Sequence, residues 1–432
     1  MGAGARLSSI GLAALGALLG GFVGGLLVVG VTLLLKAGMD LVARQDTWFI
    51  IVAPLVGLSV AVFVLYGIGT SATVPSDRKA HAWRTFHPEV ARADISADVV
   101  NCAGEEERFP WRLAPIRAMA IVATVGSGAA MGTEAPAAYL GVAAGDCLGD
   151  RGRGWRRLLR PAALAGGAAG VAALMAIPLV GAAFMLELGR RRRAPLSAER
   201  VTAALIGGFI GWTINATFHL NLIRLVVPKE PPVSLLQAVL TALFIGVASG
   251  AISSTAGLAV YRAKKWKASP LLRLAIGGAA TVVIALTLVR IAVPAAASGP
   301  GGGAILWAES VNALPLTLLA ICLLRAAATT AAVAAGGCGG VFVPFLAVGD
   351  LAGRVFAPGL GIGNDLAGAA GAAGGIAGGY RLPITAVAME IGLGGPPKAT
   401  LTCLATIGIA YVAGLGAESA LRKLRALFGS RR

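Results

Sequence analysis

Histidine and cysteine are both scarce, with three and five residues in a chain of 432. The cysteines are Cys102, Cys147, Cys322, Cys338 and Cys403, and no two stand in a C-x-x-C spacing. A disulfide framework and a metal site are therefore not expected, and no cofactor motif takes their place. Most of the cysteines sit in apolar runs and read as small core residues. His219, in "NATFHLNL", is the one histidine well inside such a run, and reads as a packed or pore-facing side chain.

Charge is scarce as well. Asp, Glu, Lys and Arg make up 13% of the chain, about half the ~25% of a soluble domain. That excludes an ordinary water-facing surface. Seven stretches of 19 residues or more carry no charged residue at all: 7–35, 47–76, 161–186, 201–223, 231–261, 326–349 and 399–417. A membrane-spanning helix needs roughly 20 apolar residues, and most of these runs supply them. With 57% hydrophobic residues and a mean hydropathy of +0.80, the chain reads as an all-α polytopic membrane protein. The first run, at 29 residues (7–35), is too long for the apolar core of a signal peptide. It reads as a retained first helix.

Acidic residues are outnumbered, 20 against 37 basic, for a net charge of +17. Nucleic acid is excluded as the partner because the basic residues cluster in short loops between apolar runs. These are "RGRGWRRLLR" (151–160), "RRRR" (190–193), "RAKKWK" (262–267) and the tail "RKLRALFGSRR" (422–432). Such loops stay in the cytoplasm during insertion and meet anionic lipid heads. The expected location is the cell membrane, multi-pass, with the basic loops and the C-terminus cytoplasmic. Residues 1–432 read as a single membrane domain with no soluble domain after the last helix. An enzyme embedded in these runs would need a nucleophile–base pair or a metal cluster, and the runs contain neither.

Glycine is abundant, at 61 residues, and it interrupts apolar stretches in mid-run. The breaks are "GSGAAMGTEAP" (126–136), "GGCGGVFVP" (336–344) and "AGGYRLP" (377–383). Backbone that leaves a helix at membrane depth must be buried in protein or line a wet cavity. Broken helices of this kind build transport sites, with half-helix N-termini aimed at an anion. The pattern also repeats. Gly132–Pro136 is followed by Pro178 in "AIPLVGAAFMLE", and Gly340–Pro344 by Pro383 in "RLPITAVAME". Each half has a glycine break ending in Pro, then a Pro-led apolar helix ending in Glu. Residues 1–220 and 221–432 are the expected halves. The segments 89–112 and 298–310 read as surface loops or short re-entrant pieces.

Glu134 is the carboxylate in the first break. Pro136 suits the first turn of a helix, so Glu134 falls at or just before a helix N-terminus, where free N–H groups and the dipole favour an anion. Pro344 follows a glycine turn in the same way, so the N–H groups of Val341 and Phe342 are expected to point into the same space. The backbone of Gly132 can also approach a small ion. Two converging N-termini bind a desolvated anion without a fixed positive charge, which suits conduction. The carboxylate of Glu134 would then mimic the permeant ion and block its site until displaced or protonated. An intramembrane carboxylate is functional by default; its bland alternative is a helix cap.

These motifs resemble those of the CLC chloride channel and transporter family. "GTEAP" is similar to its "G(K/R)EGP" motif and "GGVFVP" to its "GGxFxP" motif. "AGVAALMAIPLVGAAFMLE" (169–187) and "YRLPITAVAMEIG" (380–392) are similar to its two Pro-led helices, and "LAPIR" (113–117) to the approach to the first motif. The resemblance runs over roughly residues 90 to 425. It implies the CLC-type fold of two inverted repeats with broken and re-entrant helices, and a homodimer with a pore in each subunit. It also implies a small inorganic anion as substrate, chloride by expectation. It makes Glu134 the gating glutamate, and the amides of Gly132, Val341 and Phe342 the backbone anion site.

Several positions depart from the family pattern. The serine anchor of a "GSGIPE" motif is replaced by "ADISADV", with Ser96 as a shifted substitute. Where a central tyrosine belongs, near 418, stands Glu418, and Tyr411 lies about two turns earlier. Thr133 and Ala135 replace the motif's basic residue and glycine, and Pro383 to Glu390 is two residues shorter than the pattern. Proton-coupled members carry an inner glutamate just after the position of Glu187; here that position is Leu188. An apolar inner position favours passive conduction, an anion channel gated by Glu134. The alternative is a proton-coupled anion antiporter, with Glu187 taking the proton role one position away. Glu187 otherwise reads as a charge at a cytoplasmic helix end beside "RRRR".

Overall fold

The structure, a computed structural model, describes residues 3–68, 95–104, 109, 111–149, 156–220 and 222–429. Residues 151–155 of the first basic loop and 430–432 of the tail lie outside the described residues. Among the described residues there are eighteen α-helices and no strand beyond one isolated bridge.

In chain order the helices are α1 Ala3–Ala43, α2 Thr47–Phe63, α3 Ile95–Gly104, α4 Ala114–Gly126, α5 Glu134–Gly149 and α6 Arg156–Met175. There follow α7 Pro178–Arg191, α8 Ala198–Phe218, α9 Leu235–Lys265, α10 Pro270–Ile291, α11 Pro294–Ala297 and α12 Gly302–Ser310. The last six are α13 Pro315–Ala334, α14 Phe342–Arg354, α15 Ala357–Leu360, α16 Asn364–Gly375, α17 Pro383–Leu393 and α18 Pro397–Gly429. Their starts are legible chemically. Proline opens α7, α10, α13 and α17, where its missing N–H has no partner to lose. Serine side chains cap α8, α9 and α10, Ser197, Ser234 and Ser269 accepting from Arg200, Gln237 and Leu272 N–H at 3.2–3.3 Å.

Among the described residues seven helices are long and apolar enough to cross a membrane, and the protein is a multi-pass membrane protein. The helices bearing the glycine-break motifs are shorter. With 16 and 13 residues, α5 and α14 reach about 24 and 20 Å at 1.5 Å per residue, short of the ~30 Å hydrocarbon core. Each begins inside the protein. Residues 95–104 and 302–310, expected as loops or short re-entrant pieces, form the short helices α3 and α12. His219 does not pack inside a run: it is exposed, in left-handed conformation, and closes the C-terminus of α8.

The two halves pack their short helices alike. Helix α5 lies on α6 with Gly141 against Gly166, and a Cβ on either glycine would collide with the other's carbonyl. Helix α14 lies on α16 with Gly349 against Gly371 in the same mutual arrangement. Small residues permit such close approach, and in a membrane close packing is a main source of helix association. The correspondence extends further. Ala176 and Arg381 are both left-handed non-glycine residues (φ 57 and 58), and each stands two residues before the proline that opens α7 or α17.

Candidate functional site

The two glycine breaks meet. Gly132 N–H donates to Gly340 C=O and Gly340 N–H to Gly132 C=O, both at 2.7 Å. This antiparallel bridge places the first turns of α5 and α14 side by side, two residues beyond each glycine. It also corrects one expectation. The amide of Gly132 is spent on Gly340 and cannot serve an anion, because one N–H satisfies one strong acceptor.

Glu134 is the first residue of α5 and is wholly buried, at 0% exposure. Its carboxylate turns toward α14. Val343 N–H donates to Oε2 at 3.4 Å, and the Thr133 hydroxyl to Oε1 at 3.2 Å. A Cβ on Gly132 would stand 2.5 Å from that same Oε2 and 3.0 Å from Pro344 Cδ, so a glycine is required for the carboxylate to fold over the backbone there. Val341 is the N-cap of α14 and Phe342 its first residue, so their amides belong to the open first turn. The carboxylate takes its α14 hydrogen bond from Val343, the next residue along. No ion pair to Glu134 occurs among the described residues. Backbone dipoles and a hydroxyl hold this carboxylate, and the same donors suit a small anion.

Beside these amides lies an aromatic cluster. Phe342 packs edge-on against Phe184 of α7 and against Tyr380, with ring centroids 5.9 and 5.8 Å apart. Phe184 and Tyr380 stack at 6.3 Å. Ser96, the second residue of α3, and Glu134 both lie close enough to act electrostatically on Tyr380. The structure therefore brings Glu134, Phe342 and Ser96 into one neighbourhood. Its tyrosine comes from the third glycine break, not from near residue 418. Tyr380 was missed by sequence reasoning, although "GGYRLP" places it directly before the Pro-led helix. Glu418 instead pairs with Arg381 and Arg422.

Glu187 caps the N-terminus of α17. Its carboxylate accepts from Ile384 N–H at 3.0 Å, Thr385 N–H at 2.8 Å and the Thr385 hydroxyl at 2.8 Å. It ties α7 to α17 rather than hanging free at a helix end. Leu188 beside it is buried and apolar.

Half-helices converging from two repeated units, with a buried carboxylate at one N-terminus, define a class of membrane transport protein. The chain belongs to the voltage gated chloride channel family, which residues 79–415 match. It is 29% identical over 290 residues to the H(+)/Cl(-) exchange transporter ClcA of Salmonella typhi and of Salmonella typhimurium, covering 63% of this chain. The chain spans 58% of the length of these curated relatives. Among solved structures, a slow cyanobacterial Cl-/H+ antiporter matches 98% of this chain and 99% of its own, with TM-score 0.71 and 18% identity. A CLC-type fluoride/proton antiporter matches 95% and 96%, with TM-score 0.69 and 20% identity. These likenesses show the CLC fold.

The comparisons overturn the passive anion channel expected from Leu188. The curated relatives that the chain matches are H(+)/Cl(-) exchange transporters, not channels. An apolar residue at 188 removes one titratable group and does not by itself exclude proton coupling.

Proposed function

We propose that this protein is a proton-coupled antiporter of a small inorganic anion, with chloride the expected substrate. One observation carries the proposal: a fully buried carboxylate, Glu134, occupies the first turn of α14, where a desolvated anion would bind. One place then holds either the carboxylate or the anion. Ionised, Glu134 competes with the anion for backbone donors. Protonated, it no longer interacts favourably with the helix dipole and yields. Coupling follows because the anion takes these donors only when Glu134 has taken up a proton and yielded them, and the carboxylate returns, giving up that proton, when the anion leaves. In this reading the amides of Val341 and Phe342 and the hydroxyls of Ser96 and Tyr380 contact the anion, and Leu188 leaves the inner proton route to water and hydroxyls.

The test is Glu134→Gln in proteoliposomes. The amide keeps the shape and cannot carry a proton, so anion flux should persist while proton movement is lost. Uphill proton movement by this variant would sink the proposal.

A common cytoplasmic face for the basic clusters goes with this reading. It is supported by Arg191, Lys264 and Arg422, from three of those clusters, whose charges gather around the Tyr380–Arg381 segment. Cysteine labelling that found 190–193 or 262–267 accessible only from outside would reverse the orientation. Repeats of 1–220 and 221–432 are supported by the matched glycine pairs and left-handed residues. A homodimer in the bilayer follows from the family resemblance, and mass measurement in detergent would check it.

A further inference from the structure

The chain holds Tyr380 in place by an unusual route. Residues 376–380 form a π-helical turn, and Arg381 then adopts φ 58, ψ 45. A side chain in the left-handed region costs roughly a factor of five to thirty in conformer population, and such a residue persists only where its surroundings over-determine it. Here they do. The Arg381 guanidinium pairs with Glu418 of α18. Arg191 of α7 donates to the carbonyls of Tyr380 and, at 3.2 Å, of Arg381, while its guanidinium lies 5.5 Å over the Tyr380 ring. Glu418 is only 17% exposed, whereas its second partner Arg422 is 74% exposed, so the pair with Arg381 is the sheltered one.

We propose that Glu418 is a positioning residue for the anion path: by fixing Arg381 in its left-handed turn it holds the Tyr380 ring against Phe342, in the first turn of α14. The inference rests on the reading of Tyr380 as an anion contact. It gives a role to the acidic residue that stands where a tyrosine was expected. The cytoplasmic end of α18 acts on the path through an ion pair rather than by entering it.

The experiment measures the chloride-to-nitrate flux ratio, per folded protein, in proteoliposomes. Tyr380→Phe removes one hydroxyl donor to the anion; because both anions lose it, the ratio reads only the difference in bond strength between them, and it should shift about 2- to 10-fold. Glu418→Gln should shift it in the same direction by roughly 3-fold, as a partial loss of the same contact. In the double variant the Glu418→Gln shift should vanish, because residues acting through one group are not additive. Arg422→Gln, which removes only the exposed partner, should leave the ratio unchanged. A Glu418→Gln ratio equal to wild type, or one that multiplies with Tyr380→Phe, would overturn the positioning role while leaving Tyr380 as an anion contact. A wild-type ratio in Tyr380→Phe would remove the underlying reading as well.

Discussion

A single methyl group at Gly132 should change how this protein responds to pH. Gly132 is not in the left-handed region, so alanine imposes no backbone strain there. Its Cβ would stand 2.5 Å from Glu134 Oε2 and 3.0 Å from Pro344 Cδ. The proline is locked into α14 and yields by tenths of an ångström, whereas the carboxylate ends a flexible chain and must move. Moving it forfeits the bond from Val343 N–H. A hydrogen bond to a charged group is worth about 1.5–3 kcal/mol, so occupancy of the α14 first turn by ionised Glu134 should fall by roughly 10- to 100-fold. Overpacking should cost about 1–3 kcal/mol of stability as well. In the wild type, lowering the pH should protonate Glu134 and remove the competitor, so anion flux should rise as pH falls. In Gly132→Ala the competitor is already weakened, so flux at neutral pH should approach the acid level and the pH profile should flatten. The assay is anion efflux from proteoliposomes across an acid-to-neutral series, normalised to folded protein. A variant that folds less well but keeps the wild-type pH profile would refute the claim that carboxylate and anion share these donors.

Other perturbations separate the site from its scaffold. Glu187→Ala should lower the melting temperature in detergent, because three donors on α17 lose their acceptor at about 0.5–2 kcal/mol for the cap; an unchanged melting temperature would contradict the capping role. Arg354→Met strands Asp350, which is wholly buried and bonded to Arg354 at 2.6 Å, and should cost about 3–5 kcal/mol. Adding Asp350→Asn should recover most of that loss, which a chemical-denaturation series would show.

The membrane class and the two motif breaks were legible because they rest on local signals: charge-free runs of fixed length, and glycine turns closed by proline. Glu134 stood out because a lone carboxylate in such a run has few structural excuses. The Gly132–Gly340 bridge was not legible, since it joins residues 208 positions apart, and it consumed an amide expected to bind the anion. The role of Glu187 was hidden for the same reason: its three donors lie on α17, nearly 200 residues along the chain. Tyr380 was overlooked because its position was sought by spacing along the C-terminal helix, whereas α18 runs on unbroken and the tyrosine arrives from a π-turn. The channel expectation failed on chemistry. Leu188 reports the lack of one acid, and proton transfer does not depend on one acid.

Proton-coupled exchange is read most directly from a coupled-flux measurement on the wild-type chain. Proteoliposomes loaded with chloride are diluted into chloride-free buffer at equal pH, with the membrane potential clamped, and proton movement is followed alongside chloride efflux. Chloride leaving should drive protons inward against their own developing gradient, at a fixed ratio of ions. Chloride efflux with no accompanying proton movement would contradict it.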